Sequence, residues 1–169
     1  MPQVTYTAAK GLVQSAGSGL SIQGNMDLAG VGTLSGELKS VPAALAVAST
    51  TLTAADSGKV YLLTPANAAS TRSVTLPTAA AGLHFRFILK SASNNAAGHF
   101  TVVQAGATQD FVGTVLDGAG TSDSATASDT LVKFVGVTAV GGDSVEVVSD
   151  GTLWYIRGAC KTAGGIVFA

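Results

Sequence analysis

Two histidines, His84 and His99, and two glutamates, Glu37 and Glu146, are among the scarcest groups in the chain that could move a proton or ligate a metal. His84 stands on the polar side of an alternating run, and His99 follows Gly98 where a strand begins, so both read as surface histidines. Asp117, Asp123 and Asp129 recur at intervals of six. Carboxylates suit hard cations, but a calcium loop alternates its ligands more tightly, so these three read as a solvated loop. Ser57-Gly58-Lys59 lacks the first glycine of a phosphate loop, and Val60 stands where a magnesium-holding Ser or Thr belongs. Asp56, Asp143 and Asp150 adjoin turn glycines or serines, where the side chain serves backbone hydrogen bonding. Cys160 is the one cysteine, which leaves no partner for a disulfide within the chain and reads as a small packed thiol. No nucleophile-elbow, zinc-protease or dinucleotide-binding pattern occurs. The expectation is a protein without catalytic residues, cofactor or metal.

The composition turns attention from chemistry to contact. Of 169 residues only 11% are charged, against roughly a quarter in an average soluble domain. A surface so weakly charged resists association poorly, which points to coverage by partner subunits. The nine basic residues are scattered singly and the formal net charge is −1. Without a basic stripe to neutralise phosphates, no nucleic-acid partner is expected. The start, Met-Pro-Gln-Val-Thr-Tyr, has neither a basic segment nor a long apolar run, so no signal peptide is expected. No run of about 18 apolar residues occurs, so no membrane-spanning helix is expected either.

The element that best fixes a fold class lies at residues 142–158. Two runs rich in β-branched and aromatic residues flank Asp150-Gly151, a dipeptide suited to a tight hairpin turn. With those two residues as the loop, Val147 opposes Trp154, Glu146 opposes Tyr155 and Val145 opposes Ile156. Alternation then puts Val145, Val147, Trp154 and Ile156 on a core face. Ser144, Glu146, Tyr155 and Arg157 fall on a wet or contact-forming face. In His84–Lys90 the same rule sends Phe85, Phe87 and Leu89 inward and His84, Arg86 and Lys90 outward.

Further strands are expected at Lys59–Leu63, Arg72–Leu76, Phe100–Gln104, Phe111–Leu116, Leu131–Val137 and Gly165–Phe168. Thr53–Gly58 reads as one capped turn, with Thr53 as N-cap, Asp56 as its acidic third residue and Gly58 as the left-handed stop. Residues 117–129, poor in large apolar groups, read as an exposed, mobile loop. Short strands divided by Gly, Pro and Asn indicate an all-β fold, an antiparallel β-sandwich or barrel spanning 46–169.

Ahead of it, residues 1–45 read as an extended N-terminal arm with short strands. One helical turn is conceivable in 7–17, weakened by Gly11 and Gly17. From Leu20 to Leu38 the pattern is binary: Leu20, Ile22, Met26, Leu28, Leu34 and Leu38 share one side, with glycines between. Period two means extended chain with one apolar face, which needs a surface to cover it. That surface is its own domain, a sister chain or a foreign partner.

Three segments, Leu52–Lys59, Val74–Phe87 and Gly142–Ile156, together resemble small β-rich virion proteins of tailed bacteriophages, above all the head decoration (cement) proteins. Related modules occur in phage tail fibres, and the run at 24–38 looks like the short strands of intertwined fibres. The chain lacks a fibre's repeat array, which favours the head. The resemblance implies a homotrimer on the capsid exterior of the virion, made in the host cytoplasm. It would bridge major capsid protein subunits, with no catalytic residues, nucleic acid or membrane involved. The alternative it leaves open is a tail-fibre or baseplate module that binds carbohydrate or a receptor through Tyr155, Tyr61 or exposed loops. A secreted β-sandwich hydrolase ranks below both.

Overall fold

A computed structural model of the chain describes residues 4–7, 11–14, 42–46, 49–106, 111–126 and 129–169. The chain divides into two compact units, residues 1–38 and 39–169. In the first, β1 (Val4–Thr7) and β2 (Gly11–Gln14) form an antiparallel hairpin with Thr7 opposite Gly11. Within 7–17, where a helical turn was expected, the described residues Thr7 and Gly11–Gln14 are in strands. Val-Thr-Tyr-Thr and Leu-Val are β-formers, and Gly11 disfavours a helix.

The second unit is all-β, a sandwich of two sheets around one core. Its strands in chain order are β3 (Ala43–Leu45), β4 (Ser49–Thr51), β5 (Val60–Leu63), β6 (Arg72–Thr75), β7 (His84–Leu89) and β8 (Phe100–Val103), then β9 (Phe111–Asp117), β10 (Ser122–Ser124), β11 (Leu131–Phe134), β12 (Ser144–Ser149), β13 (Trp154–Cys160) and β14 (Ile166–Phe168). The larger sheet has the order β10-β9-β13-β12-β7-β5-β3, and the smaller β14-β11-β8-β6-β4. Since Ala43–Leu45 pairs with Tyr61–Leu63, residues 43–45 belong to this sandwich and not to an arm ending at residue 45.

The sheets are mixed, where antiparallel pairing alone was expected. From β3 to β8 the chain crosses between the sheets at every connection. Two crossings restore a strand's direction, so β3, β5 and β7 run parallel in one sheet, and β4, β6 and β8 in the other. A parallel pair needs a crossover connection, and here a strand of the facing sheet supplies it in place of a helix. The remaining parallel pair is β9 with β13. Hairpins join β9 to β10 and β12 to β13.

The inward faces follow the alternation. Phe85, Phe87, Leu89, Val145, Val147, Trp154 and Ile156 meet Val74, Phe100, Val102, Val132, Phe134 and Ile166 of the other sheet. Trp154 is fully buried and tilts against Phe85, ring centroids 5.9 Å apart. Tyr61 is also core, stacked on Phe87 at 5.7 Å. Burial raises its hydroxyl pKa, and it is unavailable as the surface ligand contact considered above.

The turn before β5 forms as read. Ala54–Asp56 make one 3-10 turn, and Gly58 takes φ +85°. The Asp56 carboxylate accepts from the Thr53 N–H at 2.9 Å and the Thr53 hydroxyl at 2.8 Å, and pairs with Lys59 at 2.6 Å. These bonds, Lys59 first, hold its pKa near 2 against an ordinary 3.8.

Candidate interaction surface

The residues singled out for contact in the N-terminal segment, Leu20, Ile22, Met26, Leu28, Leu34 and Leu38, lie outside the described residues. Glu37 also lies outside the described residues, and the aspartates weighed for chemistry serve the fold. Asp117 accepts from the N–H of Ala119 and Thr121 in its own turn. Asp123 lies on β10 and accepts the Phe168 N–H at 2.7 Å, and Asp129 takes the Thr126 N–H at 2.6 Å. The expected loop at 117–129 thus contains a paired strand, stitched by Asp123 to β14. Among the described residues no group of three His, Cys, Asp or Glu is placed to hold a metal ion.

Asp143, only 3% exposed, takes the Val140 N–H at 2.8 Å and the Lys161 N–H at 2.9 Å. His99 is half-buried rather than a surface group, and its Nδ1 accepts the Gly136 N–H at 2.9 Å. His84 is exposed. Burial pushes the Cys160 thiol pKa up, as a packed thiol requires.

What the sandwich leaves unused is the outer face of its larger sheet. The pairing registers resolve this face into three rows of directly opposed side chains. The first row reads His84, Val148, Tyr155, Val112 across β7, β12, β13 and β9. The second reads Val60, Arg86, Glu146, Arg157, Thr114. The third reads Leu62, Ile88, Ser144, Ala159, Leu116. Two rows rich in apolar groups thus flank one charged row. Of the five large apolar residues most exposed among the described residues, four (Val112, Leu116, Val148 and Tyr155) collect here. Scattered exposed aliphatics need no explanation, whereas a cluster of them marks a contact surface.

The charged row sets a carboxylate between two guanidinium groups on neighbouring strands. Opposed side chains of a sheet lie within reach of one another. Even so, Arg86, Glu146 and Arg157 form no ion pair among the described residues, where Lys59–Asp56 does. Beside them is a depression of ≈ 260 Å³, lined by Arg86, Glu146, Arg157, Ser144, Ala159, Leu116 and the backbone of Gly158. Its floor is low because Ser144 and Ala159 are small. Gly158 points inward, and a Cβ there would lie 2.8 Å from the Val115 side chain.

One end of the face is set by the β12–β13 turn. The Asp150 carboxylate accepts the N–H of Leu153 at 2.9 Å and of Thr152 at 2.8 Å, then the Tyr155 hydroxyl at 3.0 Å. Those donors lower the Asp150 pKa, and the carboxylate in turn raises that of Tyr155. Tyr155 is thereby held by its hydroxyl while its ring remains exposed. The observed register pairs Ser149 with Trp154 and Glu146 with Arg157 across a four-residue loop, 150–153, in place of the two-residue loop expected. The inward and outward faces stay as assigned, because the shift is by two residues.

Reading the hairpin alone finds Ser144, Glu146, Tyr155 and Arg157. It misses Val112, Leu116 and Arg86, which only the flanking strands bring alongside. Apolar residues at both phases of Phe-Val-Gly-Thr-Val-Leu (111–116) were the available signal. No family model, curated protein or solved structure matches the chain.

Proposed function

We propose that this chain is a non-enzymatic capsid decoration (cement) protein of a tailed bacteriophage. In this reading it binds the outside of the head as a homotrimer and stabilises it by bridging major capsid protein subunits. The observation that carries the reading is the outer face of the larger sheet. There a rigid β-sandwich turns a contiguous apolar and unpaired-charge surface outward, while buried Asp143, Ser149 and Ser93 are engaged in holding turns. Such a molecule is built to be covered. The sequence resemblance supplies the kind of partner, and the low charge fits a protein that spends its life within a protein lattice.

The N-terminal segment supplies the second contact of this reading. Leu20, Ile22, Met26, Leu28, Leu34 and Leu38 provide apolar anchors for β-augmentation or apolar docking on the shell. Three arms on one trimer multiply weak contacts into avidity. The test is co-sedimentation of full-length protein and a variant lacking residues 1–40 with undecorated capsids, across a salt series. The truncated form keeps every strand of the sandwich from β3 onward, so it is expected to fold and to lose most capsid binding. Full-length binding is expected to persist at high salt, because apolar and backbone contacts are barely screened. Equal occupancy by both forms moves the capsid contact onto the sandwich. No sedimentation of either form overturns the decoration reading.

A further inference from the structure

We infer that the outer face of the larger sheet binds a second copy of itself across a two-fold axis, with β12 and β13 at the centre. The inference deepens the proposed function by naming a second copy as what covers this face, which leaves the capsid contact to the N-terminal segment, and it rests on the arrangement of the three rows. In an isologous contact the same patch serves both copies, so its own pattern must be complementary to itself. A two-fold axis running along the strands between β12 and β13 keeps each row against the same row and exchanges the columns. β12 then faces the other copy's β13, and β7 faces its β9.

Under that operation the charged row answers itself. Glu146 of each copy lies opposite Arg157 of the other, giving two reciprocal ion pairs, and Arg86 lies over Thr114. The first row sets Val148 against Tyr155, and the third sets Ile88 against Leu116, each twice. Leu116 is 57% exposed, the most exposed of the large apolar residues described, and acquires an apolar neighbour by this contact. The depression beside Glu146 is where the facing Arg157 guanidinium enters. Its walls there are the Glu146 carboxylate, the Ser144 hydroxyl and the small Ala159.

The neighbouring choice of axis is poorer. Between β7 and β12 it sets Arg86 against Glu146 but leaves Arg157 over Val60 and only the polar Ser144 over Ile88. A contact without any axis through the face would leave Glu146 and Arg157 unable to answer one another reciprocally. Stacked sheets pack about 30° off parallel, so the central columns stay aligned while the edges diverge. The complementary residues occupy those central columns.

The experiment is sedimentation equilibrium of the full chain at low salt, with charge-reversed variants. Wild type is expected to form an even-numbered species: two trimers joined face to face, or a dimer, which would keep the two-fold contact and overturn the homotrimer. Arg157→Glu sets glutamate against glutamate twice, and Glu146→Arg sets arginine against arginine. Each single variant is expected to weaken this association at least tenfold. The double variant Glu146→Arg/Arg157→Glu rebuilds both pairs with reversed polarity and is expected to restore it. Leu116→Asp, on the apolar third row, is expected to weaken it as well. All these side chains are exposed, and thermal melting checks that each variant is folded. A monomeric or purely trimeric wild type, single variants that associate like wild type, or a double variant that stays dissociated overturns the two-fold contact. A monomeric wild type would remove the homotrimer as well, but none of those results decides the capsid sedimentation, so failure of the two-fold contact and failure of capsid binding are read separately.

Discussion

Replacing Trp154 tests the core and one of its anomalies together. The side chain is fully buried, stands beside Ser149 and Phe111 on the neighbouring strands, and tilts at 46° against Phe85. Truncating a buried aromatic to alanine removes its transfer free energy and leaves a cavity, about 3–5 kcal/mol together. The lost ring pair lies within that range or adds about 0.5–1.5 kcal/mol to it. One effect opposes both. The indole Nε1–H is buried with no acceptor among the described residues, a condition that costs about 1–3 kcal/mol and ends with any apolar replacement. Trp154→Ala is therefore expected to destabilise by about 3–4 kcal/mol. Trp154→Phe keeps a ring against Phe85 and discards the orphan donor, so its loss is expected to stay near 1 kcal/mol. Urea denaturation followed by far-ultraviolet circular dichroism reads both, provided the m-value is unchanged. A loss below about 1 kcal/mol for alanine would remove Trp154 from the core. A phenylalanine variant as unstable as the alanine one would mean that the indole N–H has a partner after all.

Two further outcomes follow from buried or bonded carboxylates. Asp56 has a folded pKa near 2, below its ordinary 3.8, so its contribution is complete above about pH 4 and disappears as pH falls through 2. Solvent screening of this surface turn reduces the effect to about 1 kcal/mol. Asp56→Ala is expected to cost that much at pH 7 and almost nothing at pH 2, and an equal cost at both would assign the effect to something other than the charge. Asp143→Ala strands the N–H groups of Val140 and Lys161 and is expected to cost about 2–3 kcal/mol. A urea midpoint equal to wild type would show that water replaces the carboxylate.

Strand positions were legible wherever one face is apolar and the other polar. His84–Leu89 and the 144–160 hairpin show their burial in the letters themselves, and the Thr53–Gly58 turn shows its cap. Legibility failed where both phases are apolar. In Val60–Leu63, alternation cannot say whether Tyr61 or Val60 enters the core, and Tyr61 does. It failed again where a partner is distant: His99 belongs to Gly136, and Asp123 to Phe168, through bonds that no local pattern encodes. Strand order was hidden for a related reason. Whether β5 pairs with β6 or with β7 depends on which sheet each enters, and a buried aromatic such as Phe85 or Phe100 suits either.

The hairpin shows how core and surface are specified by different residues. A one-residue slip would send Trp154 outward, so the core rules out every register of the wrong parity. Parity alone does not distinguish registers two residues apart, since Val145, Val147, Trp154 and Ile156 point inward in both. With a two-residue loop Glu146 would oppose Tyr155, and Arg157 would oppose Ser144. With the four-residue loop Glu146 opposes Arg157, and the row Arg86, Glu146, Arg157 exists. What selects the longer loop is turn chemistry: Asp150 gathers the Thr152 and Leu153 N–H groups, and Gly151 takes φ +108°. The same carboxylate fixes the Tyr155 hydroxyl in the adjoining row. The outward charge pattern therefore depends on an exposed turn as well as on the core, where Gly158 opposes Val145 and packs against Val115. A sequence change at 150–153 that favoured the shorter loop would realign the outer face by a whole row and oblige the core around Trp154 and Gly158 to repack.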